Sequence, residues 1–210
     1  MRLVLFDVDG TLTDTMAVDA RCFLRAFVDA CGFADVDSDW SRYRNATDAG
    51  IFHEVFESRV GRSPSAAETT RFREYFIGRL RAAAQAEAFS AVRGAPDLLS
   101  RLKQSDDYRV ALATGCWAES ARVKMASAGM RYDDYPAASA DDAASREDII
   151  QIAAERACAA AGRQLNRAVY VGDGVWDAIA CRRLGIRFIG IGAGAQKEKL
   201  LAGGRRACLA

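Results

Sequence analysis

The stretch Leu3-Val4-Leu5-Phe6-Asp7-Val8-Asp9-Gly10-Thr11-Leu12-Thr13 decides the fold. Its first four residues read as a buried apolar strand that carries Asp7 to its carboxyl end. In an open parallel sheet that end is where ligands bind. Asp9 follows two residues on, so both carboxylates can sit at one mouth. Gly10 permits a sharp departure of the backbone, and Thr11 adds a hydroxyl. Two carboxylates held close repel each other unless a cation or a shared proton relieves them. A hard divalent cation with oxygen ligands, such as magnesium, suits the pair.

Outward from this strand, apolar runs alternate with helical patterns, which predicts an α/β fold with a doubly wound parallel sheet. The strands are expected at Leu3–Phe6, Val110–Ala113, Ala137–Ala138, Ala168–Val171 and Arg187–Ile191. Helices are expected between them at Ala95–Lys103, Ala118–Ala128, Ser145–Ala161 and Val175–Leu184. Gly129 and Gly185 stand where C-caps belong. Ser145 and Asp148 have the spacing of a capping box, with Asp replacing the preferred Glu. From Asp14 to Val92 the alternation stops. That stretch has no β-branched run and reads as three helices, Ala17–Ala30, Ile51–Val60 and Ala66–Ala86, with apolar residues at helical spacing. An all-helical insertion after the first strand follows, dividing the chain into a core of residues 1–14 and 93–210 and a cap of residues 15–92.

The 210 residues suit one large domain or a domain with an insertion. Basic and acidic residues number 29 and 28, a net charge of +1. That balance gives no electrostatic case for nucleic acid or an anionic membrane. The apolar runs are far shorter than the ~20 residues a membrane span needs, and the amino terminus is a core strand rather than a signal peptide. Cys22, Cys31, Cys116, Cys158, Cys181 and Cys208 form no C-x-x-C pair, the pattern of reduced thiols in a cytoplasmic protein.

Three further segments end strands or open helices in polar residues. Val110-Ala111-Leu112-Ala113 runs into Thr114 and Gly115, a hydroxyl and an unobstructed N–H suited to a phosphate oxygen. Asp141 to Asp148 opens a helix with Arg146 near its start. Ala168-Val169-Tyr170-Val171 runs into Gly172-Asp173, with Asp177 one helical turn on. Taken in order, these segments and Asp7-Val8-Asp9-Gly10-Thr11 resemble the four motifs of the haloacid dehalogenase-like (HAD) phosphohydrolases, over nearly the whole chain. The insertion resembles the helical cap of the phosphoglycolate-phosphatase-like branch, on a Rossmann-like core.

The resemblance implies a magnesium-dependent phosphatase that hydrolyses a small phosphate monoester through an aspartyl-phosphate. Asp7 is then the nucleophile and Asp9 the acid and base. Thr114, Gly115 and Arg146 hold the phosphate, Arg146 standing where many relatives have Lys. Asp7, Asp9 (through a backbone carbonyl), Asp173 and, from behind, Asp177 form the metal site. Dehalogenating relatives lack an acid at the Asp9 position, and no lysine occurs between Asp14 and Val92 to form the Schiff base of phosphonate-cleaving relatives. A phosphomutase or phosphoryl transferase on the same site is the alternative within the enzymes. A non-catalytic phosphoryl-binding regulator is the alternative outside them, although such a module need not keep both nucleophile and acid. The loop Arg44-Asn45-Ala46-Thr47-Asp48, between two cap helices, is placed to face the core, with Arg44, Asn45 and Thr47 reading the substrate beyond its phosphate. Phosphoglycolate-like small acids fit this branch, with nucleotides and sugar phosphates also open. Lys124 is expected on a solvated helix face and His53 as a surface or packing residue. The partner is thus a small phosphorylated metabolite, with no nucleic acid and no membrane, and the protein a monomer or homodimer.

Overall fold

The computed structural model describes residues 1–165, 167–192, 197, 198, 200, 208 and 209. Six strands form one sheet: β1 (Arg2–Phe6), β2 (Tyr108–Ala113), β3 (Ala137–Ala138), β4 (Ala168–Gly172), β5 (Arg187–Gly190) and β6 (Cys208–Leu209). Their order is β3-β2-β1-β4-β5-β6 and every pairing is parallel. Central β1 is buried on both faces, as its unbroken apolar run requires. Leu3 and Leu5 face one layer, against Ile149, Ile150 and Ala153 of α6 (Arg146–Ala161) and Cys181 of α7 (Val175–Leu184). Val4 and Phe6 face the other, against Leu99 of α4 (Ala95–Gln104) and Met125 of α5 (Ala118–Ser127). Side chains alternating along β1 therefore feed two apolar cores, one per face.

The register places the chemistry. Phe6 pairs with Leu112 on one side and Val171 on the other. The residues just past the ends of β1, β2 and β4 are Asp7, Thr114 and Asp173, so three adjacent strands deliver them to one edge. Gly10 then turns the chain with φ of 70°, a conformation open to glycine.

Between β1 and α4 lie the three inserted helices, α1 (Met16–Cys31), α2 (Asp48–Val60) and α3 (Ala66–Ala86). Their sequence signals are local. Ser65 and Glu68 form a reciprocal capping box at α3, and the Thr47 hydroxyl accepts from the Gly50 N–H at α2. At α6 the Ser145 hydroxyl caps the Asp148 N–H, but the Asp148 carboxylate answers the Ser145 hydroxyl rather than its backbone. The insertion carries its own core of aromatic rings. Phe23 makes edge-on contacts with Phe27, Phe72 and Phe76, and Phe52 stacks on Phe72 with centroids 4.4 Å apart. Trp117, from the β2–α5 connection, joins this cluster from the sheet side. The two connecting segments lie side by side: Thr13 bridges Ala91, and the Asp14 N–H donates to the Ser90 carbonyl.

Three short elements were not expected from the sequence, 3-10 turns at Trp40–Arg42 and Tyr132–Asp134 and strand β6. Cys22, Cys31, Cys116, Cys158 and Cys181 are free thiols; the side chain of Cys208 lies outside the described residues. No described helix is long and apolar enough to cross a membrane.

Candidate active site

Asp7 is buried at the end of β1, and the Arg146 Nη1 donates to its Oδ1 at 3.2 Å. Arg146 stands at the first position of α6, so the helix start aims its guanidinium back over the sheet edge. Its Nε also lies 3.4 Å from Asp177 Oδ1. Burial opposes its charge, but Asp177 and Asp7 outweigh that and hold its pKa well above the usual value. The expected phosphate-binding arginine thus reaches the nucleophile position.

Asp7, Asp173 and Asp177 form a buried trio whose oxygens lie within 4.8 Å of one another. Burial first, then the charges of Asp7, Asp177 and Asp9, push Asp173 up to about 8. Burial likewise raises Asp177 to about 7, although Arg146 pulls the other way. When ionised, three carboxylates facing one guanidinium carry more negative charge than Arg146 neutralises. An all-oxygen cluster with surplus negative charge is the donor set of a hard divalent cation, so these residues fit a metal ion. Within the trio the roles differ. Asp177 accepts from the Gly174 N–H at 3.2 Å and sits 3.3 Å from the Tyr170 hydroxyl, so protein donors already occupy it.

Asp9 is not part of that cluster. The Thr15 hydroxyl donates to its Oδ1 at 2.5 Å and the Lys124 ammonium to its Oδ2 at 2.6 Å. The Asp9 carboxylate therefore lies outside the trio; its backbone carbonyl is the atom that the family resemblance assigns to the metal. Lys124 is the larger correction. It is fully buried, not solvated, and its Nζ makes a second ion pair, 2.7 Å long, to Asp19 of α1. Burial works against its charge, yet Asp19 and Asp9 hold its pKa well above the usual lysine value.

Thr114 is buried at the end of β2, one strand over from Asp7, its hydroxyl 2.9 Å from Cys116 Sγ. Gly115 lies in tight quarters: a Cβ there would stand 2.6 Å from Arg146 Nη2 and 2.9 Å from the Ala46 carbonyl. Only a glycine leaves that approach open. The cap closes onto the same point, since the Asp48 N–H donates to the Gly115 carbonyl at 2.7 Å and the Thr47 hydroxyl to the Ala144 carbonyl at 2.9 Å.

One cavity between sheet edge and inserted helices is lined by Asp7, Asp9, Thr114, Gly115, Arg146 and Asp173 from the core side. From the opposite side come Asp19, Phe23, Trp40, Ala46, Thr47 and Asp48. Of the loop residues expected to read substrate, Thr47 reaches the cavity. Arg44 and Asn45 do not: Arg44 is exposed and its backbone N–H is tied to Glu54, while the Asn45 side chain packs beside Gly50. His53 is exposed, its ring edge against Phe52. Asp48, the last residue of the loop expected to face the core, also reaches the cavity; Asp19, Trp40 and Trp176 were missed, because nothing local in their segments distinguishes a cavity wall from a helix face. Burial pushes the Asp48 carboxyl well above the usual range, and its Oδ2 accepts from the Trp117 N–H at 2.9 Å.

The family model for haloacid dehalogenase-like hydrolases matches residues 1–185. Among solved structures, a hydrolase from Pseudomonas syringae aligns with a TM-score of 0.76 at 20% identity, covering 100% of this chain and 92% of that one. CbbY from Rhodobacter sphaeroides, in complex with phosphate, aligns with a TM-score of 0.74 at 21% identity, covering 99% and 93%. A mutant of that CbbY, in complex with xylulose-(1,5)-bisphosphate, aligns with a TM-score of 0.73 at 21% identity and the same coverage. No curated protein sequence matches.

Proposed function

Because the chain belongs to the haloacid dehalogenase-like hydrolases, we propose that it is a phosphatase acting on a small phosphate monoester whose leaving group carries no negative charge of its own. The observation that carries the reading is the convergence of Asp7, Thr114, Asp173 and Arg146 around one cavity closed by the inserted helices.

In the first step an Asp7 oxygen bonds to phosphorus as the ester P–O bond breaks, and Asp9 gives a proton to the departing oxygen. In the second, Asp9 takes a proton from water, whose oxygen bonds to phosphorus as the Asp7 O–P bond breaks, releasing inorganic phosphate. Arg146, the Thr114 hydroxyl and the Gly115 N–H hold the phosphoryl oxygens and offset their charge. Asp7 and Asp173 would hold magnesium, with Asp177 behind them; the ion's chemistry when bound is to neutralise the phosphoryl group beside the nucleophile. The inserted helices exclude bulk water, which strengthens each of these interactions.

The charge of the cavity argues for the leaving group. Five aspartates line it, and Arg146, which serves the phosphate, is the one basic side chain among its described lining residues. A leaving group with a carboxylate or second phosphate would face Asp19, whose one cation, Lys124, is buried outside the cavity lining, and Asp48, with no basic side chain of the lining free to meet it. Neutral hydroxyls can instead donate to those carboxylates. On this reading the substrate is neither a phosphoglycolate-like acid nor a bisphosphate such as that in the CbbY mutant complex. Phosphate release from a panel of monoesters with magnesium tests this. A neutral polyol phosphate is expected to exceed phosphoglycolate in kcat/KM by about 10-fold or more, at ~1.4 kcal/mol per tenfold. Preference for phosphoglycolate would overturn the leaving-group reading, and no phosphate release from any ester would overturn the phosphatase.

A further inference from the structure

Lys124 is a costly residue where it stands. On α5 its neighbours on the inward face, Ala121 and Met125, are fully buried, and Lys124 is itself wholly inaccessible. A buried ammonium must recover its lost hydration from partners, and an apolar side chain of similar volume is often at least as stable. Its two partners come from segments remote in sequence. One is Asp9, which carries the proton in the proposed reaction; the other is Asp19, in the first turn of the first inserted helix. Asp9 is fixed at its other oxygen by Thr15, which sits where the chain passes into that helix, and the Thr15 hydroxyl lies 2.6 Å from that of Thr13. The acid is thus tied at both oxygens to groups whose placement depends on how the inserted helices seat.

We propose that Lys124 is a positioning residue that fixes the acid Asp9 and, through Asp19, makes its orientation depend on the seating of the inserted helices over the cavity. The inference rests on the phosphatase reading and deepens it. Lys124 touches neither phosphate nor nucleophile; it acts through Asp9. A helix displaced from the sheet carries Asp19 away, leaving Lys124 and Asp9 paired without the second carboxylate that divides the ammonium between them.

The test separates proton transfer from general structure. kcat/KM reports events up to departure of the leaving group, so it is measured with magnesium on an alkyl phosphate, which needs the proton, and on p-nitrophenyl phosphate, which needs it little. For Lys124→Met the ratio of alkyl to aryl kcat/KM is expected to fall on the order of 10-fold or more, within the range of general acid catalysis. Asp19→Asn is expected to lower the same ratio, and Lys124→Met added to Asp9→Asn to lower it no further. Hydrogen exchange of the α1 amides should quicken in Lys124→Met and in Asp19→Asn. Equal losses on both esters, or a full additional loss in the Asp9→Asn background, would overturn the proposal. If Lys124→Met does not fold, Asp19→Asn decides: an unchanged ratio and unchanged α1 exchange overturn it. A parent protein that releases phosphate from neither ester defeats the phosphatase reading instead, and the α1 exchange of Lys124→Met still decides the coupling.

Discussion

Asp7 combines burial, an arginine contact and two neighbouring carboxylates, the setting in which we propose that it is the nucleophile. Asp7→Asn keeps the size and removes the attacking charge. Turnover is expected to fall by roughly a thousandfold or more while the fold persists. A folded variant that hydrolyses p-nitrophenyl phosphate like the parent would remove Asp7 from the mechanism. Gly115→Ala tests the phosphate cradle. The new methyl would stand 2.6 Å from Arg146 Nη2, so the guanidinium must yield. The expected outcome is a KM raised about 10-fold, or ~1.4 kcal/mol, with a smaller loss in kcat. At this scale the sequence reading succeeded where residues follow strands directly, as Asp7, Thr114 and Asp173 do. It failed for Lys124, since helical periodicity reports which face a residue occupies but not that two carboxylates from other segments meet it there.

The inserted helices were legible one by one, from Phe23 and Phe27, from Val55 and Phe56, and from Phe72, Phe76 and Leu80 at helical spacing. The structure places α1, α2 and α3 within a residue or three of those readings. The same spacing says nothing about which helix meets which, so the ring cluster joining them, and the seating of Trp117 on it, came from the structure alone. Trp40 was illegible for another reason: a single 3-10 turn has too few residues to show a period. Phe72 is fully buried at the centre of this cluster, against Phe23, Phe27 and Phe52. Phe72→Ala is expected to cost about 3–5 kcal/mol. Hydrogen exchange locates that cost: amides of α1 and α3 should lose protection well before those of β1 and β4. Equal loss of protection across both sets would show that the insertion and the sheet unfold as one unit.

Taken whole, the molecule is nearly neutral, with a net charge of +1, yet five aspartates line one cavity at the edge of the sheet. That distribution sets how stability depends on pH. Asp173 titrates at about 8 and Asp177 at about 7 in the folded state, against an ordinary 3.8. Over the interval between, the folded chain holds protons that the unfolded chain has released. Where the native state binds more protons, stability falls as pH rises. The contribution of these two groups is thus fully present below about 3.8 and lost as pH climbs through 7 and 8. A divalent cation acts in the opposite sense, because it binds the ionised carboxylates and displaces their protons. In chelator the unfolding midpoint is expected to drop between about pH 5.5 and pH 8.5, and the midpoint gained on adding magnesium to be larger at the upper value. Asp173→Asn should flatten the first dependence and abolish most of the second. A midpoint that rises through this range in chelator, or a magnesium effect equal at both ends, would mean that the three carboxylates at the sheet edge neither repel one another nor bind the ion.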